Sequence, residues 1–127
     1  MPKTAITTPG GRAIGPYSLA IASGDYVHIS GQIPIDGATG KLVEGDITAQ
    51  ARQCMENLKA IRAAAGLGFE NVVKTTIFLM DLGNFGAVNE VYKSYLAEPY
   101  PARSTIQVAG LPMAARIEIE MIAYRGK

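Results

Sequence analysis

The run Ile77-Phe78-Leu79-Met80 constrains the fold of this chain more than any other segment. Val72 to Met80 is rich in β-branched residues and reads as a strand. Side chains along a strand alternate between its two faces, so four consecutive apolar residues put hydrophobic groups on both faces of a sheet. Covering both faces takes more helix than the sequence supplies. Ile47, Ala51, Cys54, Leu58, Ile61 and Ala65 recur at helical spacing behind Asp46, an expected N-cap, and Gly66 ends that helix. A second helix is expected from about Asn84 to Leu96, with Phe85, Val88, Tyr92 and Tyr95 on one stripe and Pro99 and Pro101 closing it.

The remaining segments read as strands. Tyr17 to Ala22 follows the stiff turn Gly15-Pro16, and Ser23-Gly24-Asp25 turns it back into Tyr26 to Gln32. Asp36-Gly37 and Thr39-Gly40 mark a looped excursion. Ser104 to Ala109 and Arg116 to Tyr124 are joined by Gly110-Leu111-Pro112. The expectation is one α+β domain over residues 1–127, in the order ββαβαββ, with a mixed sheet and both helices on one face. The other face then needs a second cover. Oligomerisation is the simplest one. The alternative is a monomer whose loop 33–46 folds over the open face, and the glycine-rich, polar character of that loop disfavours it.

Composition removes several classes of function. Hydrophobic residues make up 48% and charged residues 18% of the chain, which fits a soluble globular class. A net charge of +1, without a run of Lys or Arg, predicts neither nucleic acid nor anionic membrane as a partner. The N-terminal residues show no secretory or transit pattern, and the single Cys54 fits a reducing compartment, so a cytoplasmic protein is expected. One His and one Cys cannot build a typical structural zinc site, so no metal is expected. Phosphate-cradling glycine motifs and a Gly-x-Ser-x-Gly elbow are both absent from the sequence.

Chemistry concentrates near the C-terminus. Pro101-Ala102-Arg103-Ser104-Thr105 sets an arginine at the entry to a short strand, and Ile117-Glu118-Ile119-Glu120 sets two carboxylates on one face of another. Charge in such strands is costly unless it meets a partner or a cleft. Strand pairing is expected to bring Arg103 and Glu118 together, with the arginine gripping a small carboxylic acid bidentately and the glutamate moving a proton. A structural ion pair of the carboxylates with Arg103 or Arg116 is the plainer reading, and regular alternation predicts that Arg116 shares a face with Glu118 and tunes it. Tyr17 reads equally as an aromatic wedge, Ser30-Gly31 as a plain β-bulge and Asn89 as a solvated helix residue.

Taken in order, Ala13-Ile14-Gly15-Pro16-Tyr17-Ser18, Ser30-Gly31-Gln32-Ile33-Pro34, Ala49-Gln50-Ala51-Arg52-Gln53, Val88-Asn89-Glu90-Val91-Tyr92, Pro101-Ala102-Arg103-Ser104 and Ile117-Glu118-Ile119-Glu120 resemble the Rid (YjgF) family, most closely its RidA subgroup. The resemblance implies a chorismate-mutase-like fold, a homotrimer and clefts between subunits. It implies hydrolysis of 2-aminoacrylate, 2-iminopropanoate or 2-iminobutanoate to 2-keto acids and ammonia, without a cofactor. On the matching positions it implies that Arg103 binds the substrate carboxylate and Glu118 activates water or transfers protons. Tyr17, Ser30, Gly31 and Asn89 match the remaining positions that line or shape the cleft, and Thr105 stands where many relatives carry Cys. Two other readings stay open: a regulatory module that binds a small carboxylate through Arg103 without turnover, and a nuclease or translation inhibitor, which the charge balance disfavours.

Overall fold

The computed structural model describes residues 2–11 and 13–126. Eight strands and two α-helices occur among them: β1 Thr4–Ile6, β2 Ala20–Ser23, β3 Tyr26–Gln32, β4 Ile35–Asp36, β5 Lys41–Leu42, α1 Ile47–Ala64, β6 Val72–Leu79, α2 Phe85–Tyr95, β7 Ala102–Gln107 and β8 Ile117–Tyr124. Six strands form one sheet in the order β1-β2-β3-β8-β6-β7, in which only β6 and β7 run parallel. The sheet is therefore mixed, as expected, and α2 is the crossover that a parallel pair requires. Three expectations need correction. A first strand, β1, adds to the sheet edge; β2 begins at Ala20 because Tyr17 lies in a bend; and the excursion after β3 carries the small hairpin β4–β5.

The first helix, α1, starts and stops where local chemistry directs. Asp46 caps α1, its Oδ1 accepting from the Ala49 N–H at 3.0 Å. Gly66 follows the helix at φ 77°, a left-handed conformation that favours glycine. The apolar stripe of α1 then buries Ala51, Cys54, Met55, Leu58 and Ile61 against Ile117, Ile119 and Met121 of β8 and Val27 and Ile29 of β3. α2 packs on α1 and adds Val88, Val91 and Tyr92 to the same core. Cys54 is buried, and burial, reinforced by the Glu118 charge, pushes its thiol well up, so it is a core residue and not a nucleophile.

Burial alternates strictly along β8. Ile117, Ile119, Met121 and Ala123 point into the helix-covered core, while Glu118, Glu120, Ile122 and Tyr124 lie half-buried on the other face. That other face is bare, with Tyr26 44% and Ile106 45% exposed. The excursion does not cover it. Asn57 of α1 donates through Nδ2 to the carbonyls of Ile33 and Ile35, and Ile33, Ile35 and Ala115 form a small separate cluster with Leu42 and Leu111. Among the described residues no helix is long and apolar enough to cross a membrane.

The core sets a measurable expectation. Ile119→Ala empties a fully buried position between α1 and the sheet and costs about 2–5 kcal/mol. Lys59→Ala on the exposed side of α1 stays within about 0.5 kcal/mol. Chemical denaturation of both variants checks the difference.

Candidate active site

β6 pairs with β7 on one side and β8 on the other, and this double pairing decides where the site residues go. Arg103 stands opposite Thr75, and Thr105 opposite Ile77; Thr75 and Ile77 are fully buried on the helix-covered face. Glu118 stands opposite Phe78, one residue out of phase, and so faces the open side. The expected meeting of Arg103 and Glu118 does not occur within one chain. Pairing sets them on strands either side of β6 and on opposite faces, and each lines its own cavity.

The Arg103 cavity has a volume of about 280 Å³ and is walled by Asn89, Glu90, Tyr92, Lys93, Tyr100 and Pro101. Arg103 Nη1 donates to Asn89 Oδ1 at 2.8 Å. Its Cζ lies 5.0 Å from the centre of the Tyr92 ring and 5.3 Å from that of Phe85. Tyr92 is itself fixed, because its hydroxyl shares a 2.7 Å hydrogen bond with the buried Thr75 Oγ1. Among the described residues no carboxylate forms an ion pair with Arg103. The guanidinium is held by an amide and aromatic rings, and its remaining donors keep their capacity for an anion. Thr105 lies on the same strand face, and its Oγ1 is shielded from solvent without a hydrogen-bond partner among the described residues. Asn89, weighed above as a solvated helix residue, is therefore a ligand of Arg103.

The second cavity, about 490 Å³, gathers Tyr17, Ser30, Gly31, Glu118 and Glu120. Ser30-Gly31 forms the bulge anticipated from sequence: the β3–β8 register shifts between Ile29 and Gln32. Ser30 Oγ donates to the Ser18 carbonyl at 2.6 Å and ties the bulge to the segment bearing Tyr17. Tyr17 is 45% exposed, so it is no core wedge, and its hydroxyl accepts from the Ile14 N–H at 3.3 Å. Glycine at position 31 leaves room for the Glu118 carboxyl, which any larger residue would displace. A Cβ there would lie 2.7 Å from Glu118 Cδ and closer still to Oε2. Glu118 makes no ion pair among the described residues, and burial, then the neighbouring Glu120 charge, raise its carboxyl above the ordinary glutamate range. Arg116 does not tune it. Its Nη2 donates instead to the Gly45 carbonyl at 2.6 Å.

Sequence reasoning missed Phe85 and Tyr92 as site residues. The signal was present: Phe85, Asn89 and Tyr92 follow an i, i+4, i+7 stripe, but the two aromatic residues read equally well as core. Among the described residues no group of three or more His, Cys, Asp or Glu could hold a metal ion.

The raised pKa of Glu118 carries a sign. Between the ordinary glutamate range and the raised folded value, the native state binds more protons than the unfolded one, so stability contributed by this group falls as pH rises through that window. Glu118→Gln removes the charge penalty. Its melting temperature should exceed that of the parent protein near pH 7, and the gap should close toward roughly pH 4, where glutamates protonate in both states. Scanning calorimetry across that range measures it; a gap that widens on acidification contradicts the assignment.

Residues 7–125 match the Endoribonuclease L-PSP family. The chain is similar to the protein DfrA of Myxococcus xanthus, 54% identical over 114 residues, covering 88% of this chain and 87% of that one. It is similar to the 2-iminobutanoate/2-iminopropanoate deaminase of Mus musculus, 48% identical over 124 residues, covering 98% and 92% of the two chains. Among solved structures, RidA from the Antarctic bacterium Psychrobacter superposes with a TM-score of 0.91 at 47% identity, covering 95% of this chain and 98% of that one. With the family matched over nearly the whole chain and the fold shared end to end, this chain belongs to the Endoribonuclease L-PSP family, that of the YjgF/Rid proteins.

Proposed function

We propose that this protein is a hydrolytic deaminase of reactive 2-imino acids and their enamines, such as 2-aminoacrylate, 2-iminopropanoate and 2-iminobutanoate, and that its site is assembled between copies of the chain in a homotrimer of chorismate-mutase-like protomers. The observation that carries this reading is the separation of Arg103 from Glu118. The cation that suits the substrate carboxylate and the carboxyl that suits proton transfer stand on opposite faces of one sheet and line different cavities. Neither has an ion-pair partner among the described residues. A cleft using both takes Arg103, Asn89 and Thr105 from one protomer and Glu118, Tyr17, Ser30 and Gly31 from another. The bare sheet face, with its exposed Ile106 and Tyr26, supplies apolar area for such an assembly.

The chemistry asks little beyond these groups. Arg103 binds the carboxylate through parallel N–H donors and fixes the planar C=N carbon beside it. Water adds to that carbon while the nitrogen takes up a proton. The C–N bond of the resulting carbinolamine then breaks, and ammonia leaves as the hydroxyl oxygen gives up its proton and becomes the keto oxygen. Each step moves a proton, and a half-buried carboxyl whose pKa is raised by burial can both give and take one. An enamine first takes a proton on its terminal carbon, from the same group. The ligands are small carboxylic acids; neither a cofactor nor a nucleic acid enters this scheme.

Three experiments test the reading. Arg103→Ala should abolish deamination of 2-aminoacrylate generated by a dehydratase while the protein stays folded and trimeric, and Arg103→Lys should recover little, because an ammonium lacks the planar fork. Glu118→Gln should lower turnover by roughly 10²-fold or more while product binding survives. Mixing the inactive Arg103→Ala and Glu118→Gln chains, unfolding and refolding them together, should restore about one quarter of the parent rate, since random closed three-fold rings then contain one intact cleft each unless all three chains are alike. No recovery from mixed rings rejects the shared cleft.

A further inference from the structure

We propose that Phe85 is a positioning residue for the carboxylate-binding arginine, and that Phe85, Asn89 and Tyr92 form a cradle on α2 that selects a guanidinium and aims it. This inference rests on the role given to Arg103 above. Phe85 opens α2 and is 41% exposed, outside the buried core cluster that holds Val88, Val91 and Tyr92. Its ring faces Arg103, whose Cζ lies 5.3 Å from the ring centre. Its position is fixed from the sheet. Gln107, at the far end of the strand that bears Arg103, accepts from the Leu82 N–H through Oε1 at 2.9 Å, and so anchors the turn leading into the helix.

The three cradle residues divide the work. Tyr92 is buried and bonded to Thr75, so it is a fixed wall. Asn89 takes one N–H from Nη1 and fixes the rotation of the guanidinium. Phe85 is the remaining wall, on the solvent side. An aromatic ring there attracts the cation without neutralising it and keeps water from part of its surface, which strengthens any ion pair the free donors make. A carboxylate in the same place would cancel the charge instead. The effect is stronger for a flat, weakly hydrated guanidinium than for a strongly hydrated ammonium, so it should shrink when lysine replaces the arginine.

The test is a double-mutant cycle with a structural control. Phe85→Leu keeps apolar bulk and removes the π face; Phe85→Tyr restores it. Each is made in the parent chain and in the Arg103→Lys variant, and trimer content and melting temperature are checked first. Pyruvate binding is read by calorimetry, and KM and kcat with enzymatically generated 2-aminoacrylate. Phe85→Leu is expected to weaken pyruvate binding and raise KM by about two- to thirtyfold with kcat much less affected, and to be rescued by Phe85→Tyr. Its effect on pyruvate binding should be clearly smaller in the Arg103→Lys background. Unchanged binding in Phe85→Leu, while Arg103→Ala abolishes binding, overturns the positioning role and leaves the role of Arg103 standing. Equal losses in both backgrounds overturn it too, because Phe85 would then act as a plain wall. Full pyruvate binding in Arg103→Ala overturns the reading beneath it.

Discussion

Everything at the candidate site follows from the alternation of side chains along β6. This strand pairs with β7 and with β8 at once, so its own phase fixes the phase of both neighbours. Thr75, Ile77 and Leu79 are locked inward by the helices, which turns Arg103 and Thr105 toward α2. Phe78 faces outward and takes Glu118 with it. A slip of one residue on the β8 side would move a pair of glutamates into the apolar core, where an unpaired charge costs several kcal/mol, and a slip on the β7 side would turn Arg103 away from α2 onto the open face. The same burial that stabilises the sheet thus also sorts its charges.

That sorting leaves two charged groups of opposite sign, each half-buried and each without an ion-pair partner among the described residues. Desolvation acts on both without a counter-ion to offset it. For Glu118 the consequence is a raised pKa, reinforced by Glu120 two residues on. For Arg103 the compensation is an amide oxygen and aromatic faces. Groups kept short of partners in this way are primed for a ligand of the right charge, and stability is given up to keep them so.

Much of this was legible in the sequence, and the parts that were not share a cause. The caps of α1, the apolar stripe ending at Gly66, the bulge at Ser30-Gly31 and the shared face of Glu118 and Glu120 are local signals, and each was readable from spacing alone. The family motifs named Tyr17, Ser30, Gly31, Asn89, Arg103, Thr105 and Glu118. What the sequence withheld was relative phase between strands far apart in the chain. Whether Arg103 and Glu118 share a face depends on how both register against β6, and no window of residues encodes that. The short strands β1, β4 and β5 escaped for a related reason, being too brief to show a period. Phe85 and Tyr92 were visible but ambiguous, because a helical aromatic stripe serves a core and a cation equally well.

The bulge in β3 has a consequence beyond shaping the Glu118 cavity. Upstream of it Val27 and Ile29 point inward on odd positions; downstream, Gln32 stands opposite the buried Ile119. The extra residue reverses parity along a single strand. The chain therefore leaves β3 on the helix side, where Asn57 holds the carbonyls of Ile33 and Ile35, and the excursion is spent there. One inserted residue works as a switch point on a track: it routes the polar loop toward α1 and keeps the opposite face of the sheet clear.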